Sequence, residues 1–127
     1  MNFAAFAAVG VGAVLGAWSR WGLAVALNHV VPALPLGTLA VNLVGGFLIG
    51  AALELFTQHA TLPPEWRLFF VTGFLGSLTT FSAFSLEAVM LLQESRYGWA
   101  MALIGSHLIG SLAMTLLGFA VVRALSG

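Results

Sequence analysis

Four apolar runs, each about twenty residues or longer, take up nearly the whole of this 127-residue chain and restrict its fold more tightly than any other feature. The first extends from about Phe3 to Leu27 and ends at Asn28-His29 and the turn residues Pro32 and Pro35. The second covers about Gly37 to Phe56 and stops at Gln58-His59 and Pro63-Pro64. The third starts near Trp66 and ends at Gln93-Glu94-Ser95-Arg96; the fourth covers about Gly98 to Val122. Crossing roughly 30 Å of hydrocarbon takes about 20 apolar residues as a helix, so each run is one crossing. Lipid offers no partner for backbone polar groups, which leaves the α-helix as the conformation for each run. The expected fold is therefore an all-α membrane protein with four transmembrane helices, residues 1–127 forming a single domain. Trp66, Tyr97 and Trp99 fall at span ends, where amphipathic rings anchor among headgroups. The first run has no basic residue before Arg20, unlike a secretory signal, and reads as a permanent helix. The connections are too short to hold a separate active site, so function is expected within the bilayer.

Composition narrows the function classes. Charged residues make up 6% and apolar residues 61%, with a mean hydropathy of +1.06, whereas soluble domains are about a quarter charged. Four Arg against four Glu give a formal net charge of zero, which leaves nucleic-acid binding without an electrostatic basis. Cysteine is absent, which removes disulfides, thiol catalysis and Cys-based metal sites. His29, His59 and His107 are far apart, none beside a second ligand at metal-site spacing.

The same scarcity of charge leaves orientation undecided. Arg67 and Arg123 mark the side shared by the termini and the second loop. Arg96 marks the opposite side, and Arg20 lies inside the first helix nearer to it. An excess of Lys and Arg normally fixes the cytoplasmic side, and here the count is about two against two. That balance fits insertion both ways up and pairing as an antiparallel dimer; it also fits one fixed orientation with a nearly even count.

Residues four apart share a helix face. In the first helix Ala4, Ala8, Gly12 and Gly16 make a small-residue stripe, a packing seam that leads to Arg20. Arg20 is thereby expected to face protein. A charge at the bilayer centre costs at least about 2.5–3.5 kcal/mol, which makes Arg20 a functional candidate; pinning helix ends is the structural alternative. The second helix carries Thr38, Asn42, Gly46, Gly50 and Glu54 on one stripe. The NH2 of Asn42 can donate to an anion, and its carboxamide can equally bond a neighbouring helix. The fourth helix presents His107, Ser111 and Thr115 on one face, either as a polar track or as structural hydrogen-bonders.

The most informative segment is Gly73-Phe74-Leu75-Gly76-Ser77-Leu78-Thr79-Thr80-Phe81-Ser82-Ala83-Phe84-Ser85. Two glycines followed by a Ser/Thr cluster at mid-span predict a break near Gly76 to Thr80, with a Gly kink as the alternative. Broken membrane helices are tolerated where they line a cavity or bind an ion. Freed carbonyls such as those of Gly76 and Thr79 are hard ligands for a cation such as sodium. The helix that restarts presents N–H groups and a positive dipole end to an anion. Phe81 and Phe84 share a face of that half-helix, and their positive ring edges could hold a small anion, although Phe pairs are commonly plain packing.

These residues resemble the Fluc (CrcB) fluoride channels. The resemblance is carried by Gly16-Ala17-Trp18-Ser19-Arg20-Trp21, by Gly37 to Gly46, by Thr72 to Glu87 with its doubled Thr and Phe-Ser-x-Phe-Ser, and by Gly110 to Thr115. It implies a four-helix subunit in a dual-topology antiparallel homodimer with two fluoride pores. It also implies a central structural sodium (Na+) on the Gly76 and Thr79 carbonyls of both copies. Asn42, Phe81, Phe84, Ser111 and Thr115 are then expected along the fluoride path, with Arg20 and Glu87 as charges of structural or functional use. The implied role is passive export of cytoplasmic fluoride across a bacterial inner membrane, with no enzyme chemistry. Ala83, Ser77 and His107 depart from the family pattern: Thr is frequent at the first position and Gly at the second, and some relatives have Ser at the third.

Two rival readings accompany this one. A small four-helix multidrug transporter depends on an acidic residue in its first helix, where this chain has Arg20 and no acid. In a non-conducting assembly subunit the polar stripes would serve only as interhelical glue.

Overall fold

The computed structural model describes all 127 residues. It is all-helical, with four helices long and apolar enough to cross a membrane. Helix α1 spans Phe3–Leu27. Asn2 caps its start, Oδ1 accepting from the Ala5 N–H at 2.8 Å, which satisfies one of the donors a helix N-terminus leaves free. Helix α2 spans Leu36–Gln58, entered through Pro35 in an extended conformation. The third span, Pro64–Gln93, is composite: α3 (Pro64–Arg67), a π-helical segment (Leu68–Leu75), α4 (Gly76–Leu78) and α5 (Phe81–Gln93). Helix α6 spans Tyr97–Ser126. The sequence boundaries hold within two residues, except that α6 continues four residues past Val122.

Small residues close the seams. At Gly12 and Gly16 of α1 a methyl group would strike the main chain of the third span, at the Phe69 and Phe74 carbonyls. Gly73 of the π-helical segment meets the α1 backbone in return, at the Val9 carbonyl. The packing stripe expected on the first helix is thus an α1–third-span contact. Helices α2 and α6 approach in the same way, Gly50 against the Thr115 carbonyl and Gly118 against the Phe47 carbonyl. The Thr115 hydroxyl donates across this seam to the Gly46 carbonyl at 2.9 Å. Close backbone approach of this kind drives helix association in lipid, where apolar burial contributes little.

At one end of the bundle Glu54 of α2 pairs with Arg123 of α6 at 3.2 Å. Only 19 of the 127 residues are buried within the chain, and large apolar side chains such as Phe3, Trp18, Trp21, Leu108, Ile109, Leu112 and Leu116 are exposed. Apolar surface on that scale has to face lipid or another protein.

Candidate functional site

The third span breaks at two threonines. Gly76 keeps α-helical angles, φ −61° and ψ −30°, and winding continues to Leu78. Thr79 (φ −82°, ψ 156°) and Thr80 (φ −149°, ψ 112°) are extended. The break thus occupies the C-terminal part of the expected interval. Ser77, which stands where glycine is frequent, is accommodated because the chain needs no positive φ there: Ser95 is the one non-glycine residue with φ above zero.

Side chains from other helices take over the hydrogen bonds that the break interrupts. Asn42 of α2 grips Thr80 with both ends of its carboxamide: Oδ1 accepts from the Thr80 N–H at 2.8 Å, and Nδ2 donates to the Thr80 carbonyl at 3.0 Å. The second hydrogen on Nδ2 points to His107 Nδ1 at 3.1 Å. Arg20 Nε donates to the Ser77 carbonyl at 3.0 Å, which explains a half-buried charge at the end of the small stripe. The Thr80 hydroxyl caps α5 by accepting from the Ala83 N–H at 3.1 Å.

This rerouting deprives two carbonyls of their donors. In a continuous helix the Thr80 N–H would bond Gly76 and the Ala83 N–H would bond Thr79. Asn42 takes the first and the Thr80 hydroxyl takes the second. The carbonyls of Gly76 and Thr79 therefore lose the donors that a continuous helix would give them. Buried or membrane-embedded carbonyls in that state call for another partner.

A cavity of about 580 Å³ opens beside the break, lined by Asn42, Gly76, Thr79, Thr80, Phe81, Phe84, His107 and Ser111 among others. Six of the seven residues expected along an ion path or at its cation meet there. Phe81 and Phe84 lie with ring centroids 5.5 Å apart in a T-shaped arrangement at 65°, and the Phe84 ring sits 4.7 Å from that of His107. Thr115 is the exception: its hydroxyl is committed to the Gly46 and Ser111 carbonyls, and it does not line the cavity.

Glu87 lies outside the lining, one turn beyond Phe84 on α5. Its Oε2 accepts from the Thr38 hydroxyl at 2.7 Å, while Oε1 is buried without a partner. The Thr38 N–H is in turn held by Asn28 Oδ1 at 3.0 Å. Sequence reasoning did not identify the His107–Asn42 bond or the Asn28–Thr38–Glu87 chain. The shared stripe of His107 and Ser111 was the available signal for the first.

A weakly charged cavity at the break of a membrane span, inside an apolar bundle with short loops, defines a compact multi-pass membrane protein organised around that cavity. Comparison with known sequences identifies which one. Residues 7–119 match the family described as CrcB-like protein, Camphor Resistance (CrcB). A relative from Nitrosospira multiformis is 56% identical over 126 residues, 99% of this chain and 98% of the relative. One from Ralstonia pickettii is 58% identical over 99% of this chain and 100% of the relative. One from Pseudomonas putida is 52% identical over 94% of each. All three are named Fluoride-specific ion channel FluC. The chain belongs to the CrcB family.

Proposed function

We propose that this protein is a fluoride-selective channel, not an enzyme, and that it conducts passively as an antiparallel, dual-topology homodimer with two ion paths. The observation that carries this reading is the gathering of Phe81, Phe84, Asn42 and Ser111 around one cavity at the helix break, in a chain whose relatives bear the name of that activity. Fluoride holds its water tightly, and a path for it has to supply replacement donors. The ring edges of Phe81 and Phe84, the Ser111 hydroxyl and the Asn42 amide are the candidates, with Thr115 extending the polar face of α6. Thr115 and Asn42 would have to exchange a present hydrogen bond for one to the ion.

A second copy is supported by exposure. Phe81 is 79% exposed although it lines the cavity, so a further apolar wall is needed to enclose the path. The even distribution of arginines is compatible with a partner of opposite orientation. The Gly76 and Thr79 carbonyls fit a structural sodium ion, being hard oxygens released from their helical donors. One copy offers only two of them, so both copies would contribute. When bound, the ion would fix positive charge between the two paths. Arg20 holds the Ser77 carbonyl beside this site, and Glu87 with Thr38 forms a polar group further along α5. In the cell the channel would let cytoplasmic fluoride leak out through the inner membrane and relieve its toxicity.

Efflux from liposomes followed with a fluoride electrode tests the reading. Protein-dependent fluoride release with little chloride release is expected. Equal release of both ions, release of neither, or transport of a cationic drug instead would overturn it.

A further inference from the structure

A second hollow lies away from the break. It has a volume of about 480 Å³ and runs between α2, through Leu48 and Ala52, and the start of the third span, through Trp66, Phe69 and Phe70. Apart from His59 its lining is apolar. Ala52 is small and buried, and the bulkier side chains around it form the sides of the trough. The groove uses a different face of α2 from Asn42, Gly46 and Ile49, which line the first cavity.

Its dimensions match one leaflet of a bilayer. Leu48 and His59 are separated along α2 by roughly 16 Å of helix, and half of the hydrocarbon core is about 15 Å thick. His59 ends α2 and Trp66 begins the third span, so the groove starts at headgroup level and reaches toward the bilayer centre. Water would find almost no polar partner along it, and an unfilled trough would forfeit dispersion contacts. A hydrocarbon chain lying along α2 fits both requirements.

The rim specifies the headgroup. Glu65 and Arg67 flank Trp66 on α3, and neither is ion-paired, since the salt bridge of this chain joins Glu54 to Arg123. Two residues apart on a helix, they do not face each other. One free anion and one free cation beside an interfacial indole complement a headgroup that carries both charges, its phosphate toward Arg67 and its ammonium toward Glu65. A headgroup with negative charge alone would be repelled by Glu65. A primary ammonium also donates hydrogen bonds to a carboxylate, which a quaternary one cannot.

We propose that this groove binds one acyl chain of an ethanolamine phospholipid, whose zwitterionic headgroup is recognised by Glu65 and Arg67. The bound chain backs the π-helical segment: Phe70 stacks on Phe74 with centroids 5.6 Å apart, and both pack on the buried cluster of Val41, Leu75 and Leu78 ahead of the break. The site does not depend on which ion the protein conducts.

Trp66 is a built-in reporter for the test. In protein carrying it as the only tryptophan (Trp18→Phe, Trp21→Phe, Trp99→Phe), quenching by phospholipids brominated along an acyl chain measures occupancy. The difference between unmodified protein and Trp66→Phe gives the same quantity without those substitutions. Brominated phosphatidylethanolamine diluted into phosphatidylcholine bilayers is expected to quench as if enriched about threefold or more at the groove, the scale of two exposed charge contacts. Brominated phosphatidylglycerol and phosphatidylcholine should quench at their bulk composition. Glu65→Gln and Arg67→Gln should each roughly halve the enrichment. Ala52→Phe, which fills the trough, should abolish it, and the two rim variants decide the matter if that variant fails to assemble. Equal quenching by all three lipids would reduce the groove to ordinary lipid contact and overturn the proposal. Preference for phosphatidylglycerol, or quenching by none because a second copy covers the groove, would overturn it as well.

Discussion

The α2–α6 seam and the break in the third span handle the same constraint, backbone polar groups in lipid, in opposite ways. Along the seam the helices stay regular and glycine is the device: Gly50 and Gly118 bring main chain against main chain, and no carbonyl has to leave its helix. At the break the helix gives up its own bonds, and side chains from α1 and α2 replace them, Arg20 at Ser77 and Asn42 at Thr80. Replacement is incomplete, since the Gly76 and Thr79 carbonyls lose their helical donors. The seam provides rigidity, and the break provides free ligands held in place by that rigidity. Substitutions in the two regions should therefore fail differently.

The largest effect is expected at the seam. In Gly50→Val the new side chain would overlap the Thr115 carbonyl, a forced overpacking costing about 3 kcal/mol or more. Loss of monodisperse protein in detergent is the expected outcome; a stable, conducting variant would show that the helices can separate freely. Asn42→Ala should come next, because it leaves the Thr80 N–H and carbonyl unpaired at about 1–3 kcal/mol each. It should still assemble, with a lower thermal midpoint and fluoride efflux reduced at least about tenfold. Full efflux from Asn42→Ala would mean that the grip on Thr80 is dispensable.

Phe81→Ile and Phe84→Ile remove ring edges while keeping apolar bulk. Each should cut efflux by up to about tenfold, the scale of one aromatic contact, and leave assembly intact. Unchanged rates in both would reduce the pair to packing. The smallest effect belongs to Glu54→Gln. The Arg123 side chain is 65% exposed, so the lost ion pair should change stability by less than about 1 kcal/mol. Efflux should stay at the unmodified rate, and a marked drop there would extend the functional region to the end of the bundle.

What could be foreseen follows the range of the interaction concerned. The four spans were legible because length, apolarity and turn residues are local properties; Phe3 and Leu27 bound α1 as expected. The existence of a break was legible in Gly73, Gly76 and the paired threonines. Its position within the interval Gly76 to Thr80 was not, because Gly76 stays helical and Thr80 is drawn out by Asn42, 38 residues away. Arg20 was recognised as facing protein, but its acceptor lies 57 residues along the chain, and no local pattern encodes that pairing. The π-helical winding of Leu68–Leu75, which packs closely against Gly12 and Gly16 of α1, had no signature in the residues. For Thr115, a face assignment could not distinguish a hydroxyl open to a path from one used up inside the seam.

Backbone carbon-13 shifts of Thr79 and Thr80, measured by solid-state NMR on protein in lipid bilayers, test the interrupted span most directly. The account predicts extended-type shifts at both threonines, flanked by helical shifts at Gly76–Leu78 and from Phe81 onward. Helical shifts running without interruption from Leu75 to Phe84 would contradict it, because the Gly76 and Thr79 carbonyls would then be bonded within the helix.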